Sequence, residues 1–409
     1  MLRRNLLGIS AACLAAPRAA AAGSRIQRVE IVRWKAGKSA ADHLEIEAGG
    51  GRIGVFGPLG WGLPKLLAED MAKLREHLLG KDALDRRVEF ESLWKAFYAG
   101  KELSAYAAAT DPLTGQNIEG TTRGGRHSPT GLRIMALSAV DNALWDLRGK
   151  IIGRPVYRIT GGTQNRRRLD VYSRVGEGKD LGEARRQARE RWEKGQKKQK
   201  WYFVFGPKDG KDGLKANLEL VRVLREELPE ATLMFDNHSM RFEIGVDWVV
   251  ELGKQMAQYR PFWLEEPTAP EDTEGYARIK GETGLIIAAG EHHYTRFQIQ
   301  RLLDRKCLDW VQSDPDWCGG ISEWLRIAEM VSKHRGVKVV PHCDNFMTNV
   351  QCVASQPVSL CPMVEYNDAQ TEQKMSYRTR VLRPVNEVID TPAEPGLGPD
   401  LDRAKLEKL

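Results

Sequence analysis

No C-x-x-C pair occurs among the six cysteines of this 409-residue chain, so neither a common zinc spacing nor a dense disulfide framework is indicated. Cys13 stands apart near the start; Cys307, Cys318, Cys343, Cys352 and Cys361 read as mainly buried thiols, with room for one disulfide. No basic stretch interleaved with aromatics stands out, and 62 Lys and Arg against 55 Asp and Glu leave a formal charge of only +7. That balance is too mild to argue for a nucleic-acid partner. From Leu169 onward there is no Gly-rich phosphate fingerprint to favour a dinucleotide-binding fold. The apolar run near the N-terminus is too short to span a bilayer. What is present, 42% apolar and 29% charged residues, suffices for a large core and two domains, with no compositional sign of disorder.

The first 22 residues, MLRRNLLGISAACLAAPRAAAA, combine a cationic start, an apolar run from Leu6 to Ala16 and an Ala-rich end. This is export-signal architecture, with cleavage expected near Ala22. Arg3-Arg4 before Asn5-Leu6-Leu7 resembles a twin-arginine signal, although Leu2 stands where Ser or Thr is usual. A Sec signal with an incidental arginine pair is the alternative. Both predict a periplasmic protein with no stable membrane insertion once the signal is gone. Its removal takes three arginines and no acid, so the charge falls from +7 to +4, a weak field that helps an anionic substrate.

Residues 26–34, 43–48 and 53–56 have the pattern of antiparallel strands, with Gly49, Gly50 and Gly51 at a turn, and helical patterns follow at 63–79 and 87–98. Strands followed by helices predict a separate α+β capping domain over residues 23–128. Residues 100–129 are polar and carry Arg123, Arg126 and His127, a loop that faces either a site or solvent. Ser128-Pro129 opens a helix and Gly153 with Pro155 closes it; Leu132, Ala136, Ala139, Ala143 and Leu147 share one face, small enough for close packing. From Leu169 strands and helices alternate. Candidate strands end near Ser173, Tyr202, Asp236, Glu265, Glu291, Asp314, His342 and Glu365, which predicts an α/β fold with a (β/α)₈ (modified TIM) barrel over 129–380. The remainder, 381–409, with Pro392, Pro395 and Pro399, reads as a tail returning to the capping domain.

Three segments of the barrel close on acid: LMFDNHSM (233–240), FWLEEPTAP (262–270) and LIIAAGEHHYT (285–295). A short apolar run ending abruptly in acid is how a buried parallel strand looks where it opens into a site. Asp236, Glu265 and Glu291 lie 29 and 26 residues apart, one βα unit each, so all three reach the rim where barrel sites are built. Converging carboxylates repel one another, and oxygen-only ligation favours Mg²⁺. VKVVPHCDN places His342 at the seventh strand end, next to Asp314 of LDWVQSDPDWCGG at the sixth, where a carboxylate can fix the imidazole tautomer. Lys200, in KKQKWYFVFG, falls at the second strand end, and the strand period through Tyr202 turns it inward.

ALSAVDNALWDLRGKIIGRPVYRITGG (136–162) resembles the first signature of the mandelate racemase and muconate lactonizing branch of the enolase superfamily, departing from it at Thr160. The resemblance continues through WLEEP, GEHH, QSDPDWCGG, VVPH and the PGLG of 395–398, nearly the whole chain after the signal. It implies Mg²⁺ on Asp236, Glu265 and Glu291, a base dyad of His342 and Asp314, and Glu365 as the eighth-strand acid that contacts the substrate carboxylate or the enediolate oxygen. GEHH and DWCGG look most like rhamnonate dehydratase and related acid-sugar dehydratases, which implies that His292 orients the substrate and that His238, in Asp-x-His, helps a hydroxyl leave as water. Many members carry Lys-x-Lys at the second strand; here Tyr202 replaces the second lysine, a substrate-binding candidate whose presence weakens a two-base racemase and leaves Lys200 as acid, base or carboxylate anchor. Residues 33–43 and 56–62 are candidate specificity loops. The expected function is a Mg²⁺-dependent acid-sugar dehydratase, acting on a small sugar acid as a homo-oligomer. A racemase or epimerase, and a non-catalytic periplasmic sugar-acid binding protein, are the alternatives.

Overall fold

Three antiparallel strands open the described chain. In β1 (Ile26–Ala36), Ile26, Val29, Val32 and Trp34 are buried, and β1 pairs antiparallel with β2 (Ser39–Ala48), which pairs with β3 (Arg52–Phe56). Gly50 and Gly51, both at positive φ (78° and 71°), make the tight turn between β2 and β3. Helix α1 (Leu63–Leu78) turns Leu63, Leu67, Met71, Leu74 and Leu78 inward at helical spacing. These coordinates are a computed structural model describing residues 23–85, 93, 129–161, 166–238 and 245–409. The export-signal expectation (1–22), the helical pattern at 87–98 apart from Leu93, and the stretch 100–128 with Arg123, Arg126 and His127 lie outside the described residues.

Helix α2 (Pro129–Ile152) joins the two parts of the molecule. From 131 to 149 every residue but Arg133 is buried, so Ser138, Asp141, Asn142 and Asp146 are internal polar groups of the helix. Its small residues admit a strand: a Cβ on Gly54 of β3 would lie 2.2 Å from the Ala143 carbonyl oxygen. Asp146 accepts the backbone N–H of Val55 and of Leu397, each at 2.8 Å, and Lys150 bridges Asp146 (2.7 Å) and Asp400 (2.9 Å). The helix stops before Gly153, at φ 74°, and a short α3 (Val156–Thr160) follows Pro155.

The barrel follows as β4 (Arg168–Glu177), α4 (Leu181–Glu193), β5 (Lys198–Tyr202), α5 (Gly210–Glu227), β6 (Thr232–Asp236), α6 (Val246–Met256), β7 (Trp263–Glu265), α7 (Thr273–Thr283), β8 (Ile287–Ala289), α8 (Arg296–Asp304), β9 (Trp310–Val311), α9 (Gly320–Val331), β10 (Lys338–Val339), α10 (Phe346–Ala354), β11 (Met363–Tyr366) and α11 (Asp368–Met375). Neighbouring strands pair in parallel from β4 through β10, and β11 pairs back onto β4. The last junction is bridged by Val339 N–H donating to the Leu360 carbonyl at 2.9 Å. A capping α+β domain on a (β/α)₈-like barrel is thus the architecture. The barrel interior is filled by Tyr172, Met234, Trp263, Ala288, Trp310, Val340 and Met363. The C-terminal segment touches both domains: β12 (Val388–Asp390) pairs antiparallel with β4, and β13 (Glu407–Lys408) pairs with β1. The five cysteines from Cys307 to Cys361 are buried free thiols.

Candidate active site

Strands β5, β6 and β7 end at Tyr202, Asp236 and Glu265, whereas Glu291, Asp314 and His342 lie two or three residues beyond β8, β9 and β10. All are buried at one rim. Asp236, Glu265 and Glu291 each offer an oxygen, and these atoms lie within 4.8 Å of one another. Glu265 is held at both oxygens: Oε1 lies 2.5 Å from Lys200 Nζ, and Oε2 accepts the indole N–H of Trp263 at 3.0 Å. The Lys200 ammonium has no exposed surface and also contacts Asp236 (3.3 Å) and Glu365 (2.8 Å). Burial opposes its charge, and Glu265 and Glu365 overcome that and hold it protonated.

One ammonium does not balance this many carboxylates. Burial, reinforced by Glu291 and Glu266, pushes Asp236 up to about 7 against the pull of Lys200, and burial with Asp236 drives Glu265 well above the carboxylate range. A buried all-oxygen set under such repulsion fits a hard divalent cation. Glu266, Glu291 and His292 form a second convergent group, less suited to Mg²⁺ because it includes an imidazole.

Across the rim, His342 Nδ1 lies 2.8 Å from Asp314 Oδ2, and its Nε2 lies 3.6 Å from Glu291 Oε2. Asp314 also accepts the backbone N–H of Asp316 (2.7 Å) and Asp344 (3.0 Å), which opposes the upward push of burial, Asp316 and Asp344 on its pKa. Burial, then the positive charges of Lys200 and Arg174, press His342 well below the usual imidazole value, which keeps it neutral. The loop after β9 is fastened by α2: Ser138 Oγ accepts Gly319 N–H, Asn142 donates to Asp316 Oδ1, and Asp141 accepts Ser322 N–H, each at 2.9 Å. His292 Nδ1 lies 2.8 Å from Glu266 Oε2; half-buried His238 stands edge-on to Tyr202 with ring centroids 5.1 Å apart; Glu365 Oε2 accepts Cys343 N–H at 3.0 Å.

Several neighbours escape a sequence reading. Arg174 Cζ lies 5.0 Å over the Tyr202 ring, and although burial opposes it, Tyr202, Glu365 and Asp236 hold it charged. Trp317 packs against His342 (4.7 Å), His292 (5.6 Å) and Trp61 of the 56–62 loop (5.9 Å). Trp61 is itself a non-glycine residue at φ 55°. The one signal that could have found Trp317 is its place in QSDPDWCGG, three residues after Asp314.

The family described as enolase C-terminal domain-like matches residues 183–405. The chain belongs to that family. Within the enolase superfamily it is a member of the mandelate racemase and muconate lactonizing branch. An L-rhamnonate dehydratase of Saccharopolyspora erythraea is 36% identical over 218 residues, which are 52% of this chain and 51% of that one; the chain thus spans about half the length of this curated relative. Two solved structures share the fold. The 3,6-anhydro-D-galactonate cycloisomerase of Zobellia galactanivorans is 24% identical, with a TM-score of 0.73 over 93% of this chain and 98% of that one. A racemase of Streptomyces coelicolor A3(2), solved with bound magnesium, is 23% identical, with a TM-score of 0.71 and the same coverage, 93% and 98%.

Proposed function

We propose that this protein is a Mg²⁺-dependent acid-sugar dehydratase that forms a 2-keto-3-deoxy acid. The observation that carries the reading is the asymmetry of the rim. An imidazole backed by a buried carboxylate stands on one side, while Lys200, the candidate on the second strand, is locked among three carboxylates. A lysine held charged in that way is a poor second base, which disfavours a two-base racemase and leaves elimination.

With Nδ1–H donated to Asp314, His342 takes the proton from the carbon beside the substrate carboxylate at Nε2. A cation on Asp236, Glu265 and Glu291 would supply positive charge against that carboxylate and the negative charge gathering there. The electron pair released from carbon forms a carbon–carbon double bond as the neighbouring C–O bond breaks. His238 gives its proton to the departing hydroxyl, which leaves as water, and the enol product tautomerises to the ketone. Glu365 and Lys200 face the carboxylate end, while Tyr202 and His292, the latter held by Glu266, orient the hydroxyls. The likeness to an L-rhamnonate dehydratase supports the substrate class.

Incubation of the protein with Mg²⁺ and a library of aldonic and aldaric acids tests this directly, with 2-keto-3-deoxy acid as the product assayed. Formation abolished by chelator is expected. Recovered substrate that carries solvent deuterium with inverted configuration, and no keto acid, would replace dehydration with racemisation.

A further inference from the structure

We propose that Lys200 is the built-in counter-cation of the carboxylate cluster, and that a divalent cation entering the site displaces it onto Glu365. The inference rests on the metal-site reading above and adds to it an exchange of cations. Lys200 Nζ occupies space between two of the three converging groups, 2.5 Å from Glu265 Oε1 and 3.3 Å from Asp236 Oδ2. A hard cation needs oxygens of those same carboxylates at about 2.1 Å. An ammonium left on them would face it as a like charge in a buried site.

Burial decides where the ammonium goes. With no exposed surface, Lys200 has no route to water in its present position, so its charge must stay on a carboxylate. Glu365, at 2.8 Å, already contacts it and is not among the converging ligand groups. Its other oxygen is pinned by the Cys343 N–H at 3.0 Å, so the acceptor stays in place. Glu265 does not follow the ammonium, because the Trp263 indole N–H holds its Oε2 at 3.0 Å from the same strand. Lys200 therefore keeps the cation-free site from flying apart, and Trp263 keeps it in shape during the exchange.

Calorimetric titration of Mn²⁺ into wild type and Lys200→Met, with thermal unfolding of the cation-free and loaded proteins, tests the exchange. The variant is expected to bind Mn²⁺ ~10-fold more tightly and, when cation-free, to melt at a lower temperature than wild type. Equal or weaker Mn²⁺ binding by the variant overturns the proposal. Should Lys200→Met not fold, crystal structures of the wild type with and without Mn²⁺ decide. Nζ on Glu365 and gone from Glu265 in the loaded form supports the exchange; Nζ still on Glu265 with Mn²⁺ bound overturns it. Failure of the wild type to bind any divalent cation would remove the metal-site reading itself, an outcome distinct from a bound cation beside an unmoved lysine.

Discussion

His342 and Asp236 carry the site's two sharpest dependences. His342→Asn fits within the outline of the ring and keeps one amide donor toward Asp314, but has no basic nitrogen at the rim. It is expected to lose at least ~10²-fold in turnover with an unchanged unfolding midpoint, and near-normal turnover would remove the dyad from the chemistry. Asp236 and Glu265, both pushed up by burial and by their neighbours, set the pH range for cation binding. Burial and the nearby Glu291 and Glu266 raise the Asp236 pKa to about 7, so below that pH a proton occupies the oxygen a cation needs. Affinity for Mg²⁺ is expected to fall as the pH drops through 7, by about tenfold per unit for each carboxylate that must lose a proton. Calorimetry across pH 5 to 8 checks this, and a flat profile would mean that Asp236 and Glu265 are ionised throughout. Both residues were legible because an apolar strand that ends in a polar group gives the group's position away. Arg174 was not. Its strand continues to Glu177 through an irregularity between Arg174 and Gly176, and no period-two pattern foretells where a bulge aims a side chain.

At the level of elements, the apolar runs marked where the polar groups of the rim begin, which is not always where the ladder ends. The two coincide at β5, β6 and β7, but β9 and β10 stop three residues before Asp314 and His342. There the backbone leaves the ladder so that its polar side chains can turn toward one another over the rim. Helix α2 was legible from its Pro and Gly boundaries, yet its function as a clamp was not. A helix buried all round shows no amphipathic stripe, and its Ser138, Asp141, Asn142 and Asp146 are read correctly only when the backbone N–H groups they receive are seen. The closeness of that clamp is testable at Gly54. A Cβ there would meet Ala143 O at 2.2 Å and Leu147 Cβ at 2.5 Å, so Gly54→Ala is expected to destabilise the protein by about 2 kcal/mol. Urea unfolding measures it; an unshifted midpoint would show that β3 can retreat from α2 without loss.

Besides α2, the tail and a ring contact of buried His43 link the two domains. The C-terminal segment crosses from β4 to β1, and at the same junction His43 of β2 stands edge-on to Tyr377, with ring centroids 5.1 Å apart, while Arg378 donates to the Gly57 carbonyl at 3.0 Å. His43 Nδ1 lies 3.2 Å from the Ala41 carbonyl, and its buried Nε2 has no hydrogen-bond partner among the described residues. Protonation would place an N–H at Nε2 with nothing to receive it and a charge beside Arg378. Burial first, then Arg378, accordingly lowers the His43 pKa to about 3 from its ordinary 6.5. Between those values the unfolded chain binds a proton that the folded one refuses. His43 therefore costs no stability above pH 6.5, and stability falls as the pH drops toward 3, by about 1.4 kcal/mol per unit from this group. His43→Phe keeps a flat ring against Tyr377 and removes the titration. Between pH 7.5 and 4.5 the urea midpoint of the wild type is expected to fall further than that of the variant. Equal losses would place the acid sensitivity elsewhere and leave the junction between cap and tail indifferent to pH.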